Sequence, residues 1–281
     1  MLWYLLLLIP LAVVVWLLYE WLEHTLVQYN STTVESQKLP KNKELRLCLI
    51  SDLHNNKKNW SALVQKIQKF GPEYILLAGD MVNKHKSNNI YAKQFMTAIN
   101  RLAIPTFYSQ GNHELSLEEN FMQEWEQYIT TLPEHVHYLN NASALAGIRK
   151  EICISGLSLP RVFYKKGSLY QGVEALPEIS VPENSFHILM AHHPEYAEQY
   201  KKYRADFIVS GHLHGGLLRL PFVGGLVSPR LRLPKGRDAG FTKLSDGSGM
   251  FVSRGLGSHT IPLRFFNRVE VNFLIIKGTK E

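Results

Sequence analysis

The sequence predicts an α/β fold built on two sheets and preceded by one apolar N-terminal helix. Between residues 45 and 109, short apolar runs alternate with segments whose apolar residues recur at helical spacing, the pattern of parallel βαβ units. After about Val136, short β-like runs follow one another, which indicates a second and more antiparallel sheet. Before Glu20 no side chain is charged, and an apolar helix of roughly 20 residues can cross a bilayer.

The N-terminal segment, residues 1–24, is predicted to be an uncleaved transmembrane anchor. Its aromatic residues lie near its two ends, as in the aromatic belts of spanning helices: Trp3, Tyr4, Trp16, Tyr19 and Trp21. A cleaved signal peptide would have a basic start and a small-residue cleavage site, and neither is visible. We therefore expect a single-pass protein of the cell membrane.

Residues 25–43 are predicted to be a polar tether between this anchor and a domain at residues 44–281. The tether is rich in Thr, Ser, Asn, Gln and Lys and has no clear hydrophobic periodicity. Lys38, Lys41 and Lys43 follow the anchor, whereas no basic side chain precedes it. The positive-inside rule therefore places the domain in the cytoplasm.

Polar motifs follow the predicted buried strands at the point where each strand ends. The strands have short apolar cores, and the segments between the first three, over residues 60–70 and around residues 95–102, have helical spacing. The strands lead into Asp52-Leu53-His54, Gly79-Asp80, Gly111-Asn112-His113-Glu114, His192-His193-Pro194 and Gly211-His212-Leu213-His214-Gly215-Gly216. Because open α/β sheets place ligands at the carboxyl ends of their strands, we expect these side chains to converge.

The converging side chains have the chemistry of a dinuclear metal site. They offer only oxygen and nitrogen donors: Asp52, His54, Asp80, Asn112, His192, His212 and His214. Seven donors are too many for one tetrahedral zinc ion but suit two adjacent metals that share a bridging carboxylate. Mixed Asp, Asn and His sites accept manganese, iron or zinc, so two divalent ions of these kinds are the expected cofactors.

The net charge of +7 and the pI near 9.2 call for an acidic partner, which could be nucleic acid, anionic lipid or a phosphorylated substrate. The basic residues are dispersed, without a run of five or six, so nucleic acid is not favoured. Cys48 and Cys153 lie in strand-like runs and are expected to be buried, reduced thiols.

Taken in order, these motifs resemble the calcineurin-like metallophosphoesterase superfamily, from about Leu45 to the C-terminus. The stretches 210–219, 220–222 and 253–257 look like its membrane-associated bacterial branch, which includes phosphodiesterases and enzymes resembling UDP-2,3-diacylglucosamine pyrophosphatase. The resemblance implies a two-sheet β sandwich flanked by helices. Leu217 and Val269 depart from residues common in that branch, which puts the substrate rather than the metal site in doubt.

The resemblance also implies a role for each motif residue. One metal would be bound by Asp52, His54 and His214, the second by Asn112, His192 and His212, with Asp80 bridging both. His113, with Asn112 beside it, would be catalytic, acting as general acid or electrostatic stabiliser near the leaving oxygen. His193 could replace His192, but the spacing to Pro194 favours His192.

Other polar residues have weaker assignments. Arg254 and Arg264 could hold a substrate phosphate bidentately, with structural salt bridges as the alternative. Glu114 is expected to support His113 or its turn. The remaining histidines are interpreted as core or surface residues: His24, His85, His135, His137, His187 and His259.

The predicted function is a membrane-anchored phosphohydrolase that cleaves a phosphodiester or pyrophosphate bond by attack of a metal-bound hydroxide. A lipid-linked substrate is expected because the anchor holds the site near a bilayer, and no protein partner is evident. The alternatives are a nuclease or nucleotide phosphodiesterase, and a non-catalytic membrane scaffold that retains the fold. The basic and apolar stretch 217–234 could contact lipid, or could be a β-hairpin packed on the sheet.

Overall fold

The structure is a computed structural model that describes residues 2–86, 88–132, 135–147, 150–165, 172, 176–216, 218–220, 224–227, 238–258 and 264–280. Within these ranges the α-helices are α1 (Leu2–Thr25), α2 (Trp60–Phe70), α3 (Ile90–Asn100) and α4 (Glu119–Thr130). The strands are β1 (Gln28–Pro40), β2 (Glu44–Ile50), β3 (Tyr74–Ala78), β4 (Thr106–Ser109), β5 (Val136–Tyr138), β6 (Ala142–Ala146), β7 (Ile152–Leu157), β8 (Phe186–Ala191), β9 (Phe207–Ser210), β10 (Leu218–Leu220), β11 (Gly224–Val227), β12 (Gly240–Lys243), β13 (Gly249–Val252) and β14 (Glu270–Lys280).

Two six-stranded sheets form the body of the domain. The first has the order β1-β14-β2-β3-β4-β5, and the second has the order β12-β13-β9-β8-β7-β6. Strands β2, β3, β4 and β5 run parallel, as do β7, β8, β9 and β13. The carboxyl ends of each parallel set therefore lie at one end of its sheet, which is where the polar motifs of the sequence begin.

Alternation along the strands separates three apolar layers. In β2, Leu47 and Leu49 lie in a core that also contains Ile188 and Met190 of β8 and therefore joins the two sheets. The intervening β2 residues belong to a second core with α2, α3 and α4. A third core lies under the short helical turns on the outer face of the second sheet. The predicted two-sheet sandwich flanked by helices is thus confirmed.

Helix α2 shows why the local predictions succeeded. Its residues 60–70 coincide with the predicted helix, with Leu63 and Ile67 buried against the first sheet. Asn59 begins the helix by accepting a hydrogen bond from the Ala62 N–H. Gly71 ends it in the left-handed conformation, with φ of 64°.

The predicted polar tether, residues 25–43, is largely a strand of the domain. Strand β1 pairs in parallel with β14, from Gln28 opposite Glu270 to Ser36 opposite Gly278. Its side chains are polar because it is an edge strand with much of its surface exposed, while Val34 and Leu39 turn into the core between the sheets. A polar composition alone did not reveal this pairing, because the partner strand lies at the far end of the chain.

Helix α1 is an apolar helix at the N-terminus, as predicted. Within the described residues, α1 alone is long and apolar enough to cross a membrane, over Leu8–Thr25. From Leu8 to Leu18 its large apolar side chains are 46–64% exposed. Its last two turns differ, because Glu20 and Glu23 are buried against the domain.

Candidate metal centre

The strand ends bring the predicted ligands together between the two sheets. Asp52 and His54 follow β2 and Asp80 follows β3, all on the first sheet, whereas His192 follows β8 and His214 lies beyond β9 on the second sheet. All five residues are at most 3% exposed. A buried set of carboxylates and imidazoles is costly unless cations or hydrogen bonds compensate it, which points to a binding site.

One group of donors consists of Asp52, His54 and His214, whose ligand atoms all lie within 4.8 Å of one another. The Nε2 atoms of the two histidines are 3.0 Å apart. The Asp52 Oδ1 lies 3.8 Å from His54 Nε2 and 3.4 Å from His214 Nε2. Three donors that converge on one point can hold one metal ion.

A second group consists of Asp80, His192 and His212, again within 4.8 Å of one another. The Oδ2 of Asp80 lies 3.2 Å from His192 Nε2 and 3.7 Å from His54 Nε2, so this oxygen faces both groups. Within the part of the chain that the structure describes, the buried Oδ1 of Asn112 has no hydrogen-bond partner. A buried amide oxygen without a hydrogen-bond partner is one that a metal ion could satisfy. These donors therefore fit a pair of metal ions.

The tautomer of His192 is suited to metal binding. Its Nδ1 lies 2.7 Å from the Ala78 carbonyl oxygen, which can only accept a hydrogen bond. In the neutral form that binds a metal, the proton of the ring is therefore on Nδ1, and Nε2, which lies 3.2 Å from Asp80 Oδ2, is the ligand atom. A backbone carbonyl that fixes a histidine ligand in this way is a recurrent feature of metal sites.

His113 lies beside the donors of both groups. It forms a third cluster with His54 and Asp80, and its ring centroid is 4.3 Å from that of His54. Its backbone N–H donates to Asp80 Oδ1 at 2.7 Å. Its Nδ1 accepts a hydrogen bond from the Lys84 N–H at 3.3 Å, which assigns the proton of the neutral ring to Nε2.

The predicted ligands are held in strained backbone conformations. Positive φ angles between 50° and 70° occur at five of them: Asp52, His54, Asp80, His212 and His214. Outside glycine this region costs on the order of 1 kcal/mol or more per residue and clusters at functional sites. The strain therefore indicates that the turns are shaped for the position of their side chains.

Two glycines allow the turns to approach each other. A Cβ on Gly111 would lie 2.2 Å from Asp80 Oδ1, and a Cβ on Gly211 would lie 2.1 Å from Asp52 Oδ2. Since neither contact is sterically allowed, both positions require a residue without a side chain. Asp52 is also held from the second sheet, because the His212 N–H lies 3.1 Å from its Oδ1 and 3.2 Å from its Oδ2.

Glu114 ties two of the ligand turns together. This fully buried carboxylate accepts hydrogen bonds from the backbone N–H groups of Asp80 at 3.0 Å, Met81 at 2.6 Å and Gly111 at 2.9 Å. Burial, together with the charge of Asp80, raises the pKa of Glu114 to about 7. Glu114 therefore supports the turn that carries His113, as expected from its position in the motif.

The electrostatics of the site reflect two carboxylates in a buried place. Burial raises the pKa of Asp52 to about 6. Burial acts on Asp80 in the same direction, but the charges of His192 and His113 hold its pKa well below the usual value. Burial lowers and the two carboxylates raise the pKa of His192, with a net rise to about 10. The carboxylates thus draw positive charge to this point, which divalent ions can supply.

The two arginines predicted to bind substrate are engaged elsewhere. Arg254 donates from Nε to Glu270 Oε2 at 2.6 Å. Arg264 is 3% exposed and donates to the carbonyl oxygens of Gly257 at 2.6 Å and Asn267 at 2.9 Å. Both guanidinium groups therefore already donate to acceptors within the protein, as those of structural arginines do.

Two aromatic neighbours lie beside the site: His193, which the sequence offered as a substitute for His192, and Tyr164, which sequence reasoning missed. The ring of His193 lies 4.2 Å from that of His212, and the ring of Tyr164 lies 5.4 Å from it, measured between centroids. His193 is therefore packed against the predicted ligand His212, and it is in none of the donor groups that the described residues form. Tyr164 follows a strand by several residues in a stretch without a motif, so no sequence signal identifies it.

The basic and apolar stretch 217–234 lies mostly outside the described residues. Within it, β10 and β11 form an antiparallel pair, and the Arg219 N–H donates to the Phe265 carbonyl oxygen at 3.2 Å. His259 also lies outside the described residues.

Comparisons with known proteins agree with this geometry. The chain is 27% identical to an uncharacterized metallophosphoesterase of Aquifex aeolicus over 92% of this chain and 95% of that protein. It is 23% identical to the metallophosphoesterase YkuE of Bacillus subtilis, over 92% and 89% of the two chains. A transmembrane protein with metallophosphoesterase domain from Danio rerio is 23% identical over 86% of this chain, which spans 55% of that longer protein.

A family model for the calcineurin-like phosphoesterases matches residues 45–216, more than half of the chain. That range begins in β2 with the strand leading to Asp52 and ends just beyond His214, so it includes all seven predicted ligands. The matched range contains the buried oxygen and nitrogen donors at the strand ends. The chain therefore belongs to the calcineurin-like phosphoesterase family of metal-dependent hydrolases.

Proposed function

We propose that the chain hydrolyses a phosphodiester or pyrophosphate bond with the help of two divalent metal ions. The observation that carries the proposal is the position of Asp80, whose Oδ2 lies 3.7 Å from His54 Nε2 and 3.2 Å from His192 Nε2. A carboxylate between donors from two separate ligand groups suits a pair of adjacent metals. Each ion would then have its own histidines and share one aspartate.

The ligand set proposed for each ion follows the two groups. One ion would be held by Asp52, His54 and His214, the other by His192, His212 and the unsatisfied oxygen of Asn112, and both by Asp80. Bound there, two such ions supply Lewis-acid activation of water and neutralise charge at the phosphorus. Donors limited to oxygen and nitrogen suit manganese, iron or zinc.

His113 is proposed to hold the proton that the leaving oxygen needs. Its Nδ1 accepts the Lys84 N–H, so the proton is on Nε2. Its ring lies against His54, and its backbone is fixed by the bond to Asp80. A proton donor held within hydrogen-bond reach of a leaving group contributes typically 10²–10⁴-fold to a rate.

We further propose that the substrate is lipid-linked, a class that includes diacylated nucleotide sugars such as UDP-2,3-diacylglucosamine. Support comes from α1, whose exposed apolar residues suit a bilayer and which ends against the domain, and from the relative named as a transmembrane protein. The lysines that follow α1, Lys38, Lys41 and Lys43, favour a cytoplasmic domain.

The test is turnover of a panel of phosphoesters by the full-length protein in detergent, with manganese or with chelator. The panel contains bis-p-nitrophenyl phosphate, p-nitrophenyl phosphate, a single-stranded oligonucleotide and a lipid-linked pyrophosphate. We expect chelator-sensitive cleavage of the diester and the lipid-linked pyrophosphate, and loss of both in Asp80→Asn. Full activity of Asp80→Asn at saturating manganese would refute the proposed site, whereas preference for the oligonucleotide would refute the substrate class.

A further inference from the structure

The last two turns of α1 carry two buried carboxylates, which is unusual for a helix that is otherwise apolar and exposed. Glu20 is 8% exposed and Glu23 is 5% exposed, whereas Trp21 between them is 59% exposed. A buried carboxylate in such a place is costly unless it is hydrogen-bonded. Glu20 and Glu23 therefore have bonding partners that hold this end of α1 against the domain.

Their partners lie in the segment that leads into β14. The Oε2 of Glu20 accepts a hydrogen bond from the backbone N–H of Arg264 at 3.0 Å. The Oε2 of Glu23 accepts one from the backbone N–H of Asn267 at 2.7 Å. The Glu23 carbonyl oxygen also accepts the Val269 N–H at 3.1 Å. Three bonds thus fix residues 264–269 to the end of the helix.

The same segment holds the turn that carries His214. The Nδ2 of Asn267 donates to the His214 carbonyl oxygen at 2.6 Å and to the Gly216 carbonyl oxygen at 2.7 Å. The Nη2 of Arg264 lies 3.2 Å from His214 Nδ1. The helix therefore reaches a proposed metal ligand through one intervening segment, and two separate contacts lead to it.

The path reaches one side of the metal centre only. His192 is fixed by the Ala78 carbonyl oxygen, and Asp80 is fixed by the His113 N–H. Neither bond involves α1 or residues 264–269. His212 shares the turn of His214, but its N–H is held by Asp52 Oδ1 at 3.1 Å. A weakened path would therefore displace His214 first and leave His192 and Asp80 in place.

We propose that Glu20 and Glu23 are positioning residues of the metal centre, and that α1 is in this way a part of the structure that binds the first metal ion. Through residues 264–269 they hold His214 at the distance from Asp52 and His54 that the ion requires. The inference rests on the proposed dinuclear function.

The experiment compares metal binding by full-length variants in detergent. Manganese affinity and stoichiometry are measured by calorimetry and elemental analysis, and the spin coupling of paired manganese ions is measured by electron paramagnetic resonance. Loss of a supporting contact weakens metal binding typically 10–100-fold. We expect Glu23→Ala to bind one of the two ions more weakly by this factor and to lose the spin-coupled signal. The other ion should bind within about threefold of its original affinity.

Three further variants serve as controls. Trp21→Ala changes an exposed residue on the same two turns and should bind both ions normally. Glu23→Gln keeps an oxygen acceptor for the Asn267 N–H and should restore the first ion. Glu20→Ala should show the selective loss at smaller amplitude, because the bonds from Asn267 to the His214 and Gly216 carbonyl oxygens remain.

Unchanged binding in both Glu23→Ala and Glu20→Ala would overturn the inference. Equal loss of both ions would also overturn it, because general unfolding gives that result. Failure of Glu23→Gln to restore binding would overturn it as well. Failure of the unaltered protein to bind two ions would instead refute the proposed function, so the two failures can be told apart.

Discussion

Substitution of Gly111 by alanine tests whether the close approach of two turns sets the metal geometry. The new Cβ would lie 2.2 Å from Asp80 Oδ1 and 2.6 Å from the Asp80 backbone N, and an ordinary contact begins at 3.4 Å. The carboxylate must therefore move by about 1.2 Å, and the two turns must separate. Metal–ligand distances tolerate about 0.2 Å. The backbone at Gly111 is not among the positive-φ positions, so alanine is acceptable there apart from this clash.

The expected result for Gly111→Ala follows from that displacement. Misplacement of a reacting group by about 1 Å can cost 10²-fold in rate, so we expect at least that loss in diesterase turnover and a matching loss of manganese affinity. Overpacking costs typically 1–3 kcal/mol, which corresponds to a Tm lower by roughly 2–12 °C for a chain of this size.

The assays are calorimetry with manganese, turnover of bis-p-nitrophenyl phosphate and thermal unfolding. Gly240→Ala is the control, since its Cβ would meet nothing within 4 Å although φ is 82°. It should lose some stability from backbone strain and keep both activity and metal binding. Manganese affinity and turnover within twofold of the original in Gly111→Ala would refute the role given to this approach.

Two other predictions concern the same centre, and a third concerns Lys58, a buried lysine near Arg264. His113→Ala should lower kcat by 10²–10⁴-fold while elemental analysis still finds the original metal content, and loss of metal would contradict its assignment as a proton donor. Chelation should lower the Tm, since an ion at 100 times its Kd stabilises by about 2.7 kcal/mol; an unchanged Tm would contradict a bound metal. Burial, with the charge of Arg264, lowers the pKa of Lys58 from 10.5 to about 8. Below pH 8 the folded protein must bury the charged ammonium, which lowers the free energy of unfolding. This destabilisation disappears as the pH rises to 10.5. Compared with Lys58→Met, the metal-free protein should therefore gain up to about 3 kcal/mol over that range in denaturant titrations, and a difference independent of pH would contradict the burial of its charge.

The strand ends could be predicted from the sequence because their signals are local. A short apolar run followed by a polar motif gives both a buried strand and the place where its side chains emerge, as at β2 and Asp52. The bounds of α2 were also predictable, since Asn59 and Gly71 begin and end it through contacts within one turn. Convergence of the motifs then follows from the rule for parallel strands.

The contacts that depend on distant segments could not be predicted in this way. Strand β1 has the composition of a linker and becomes part of the sheet only through its pairing with β14. The same holds for Arg264, which was expected to contact substrate and instead lies buried among the carbonyl oxygens of neighbouring turns. A charged residue gives no local indication of which acceptor surrounds it in the folded chain.

The way α1 ends has a consequence for the distance between the domain and a bilayer. Helix α1 ends at Thr25 and β1 begins at Gln28, while Glu20 and Glu23 already accept hydrogen bonds from the domain. If α1 spans a bilayer, no stalk separates it from the domain, which would then rest directly on the headgroups. Phe266, which is 48% exposed and packs on Tyr19, would then lie at the depth where phosphates of lipids are found.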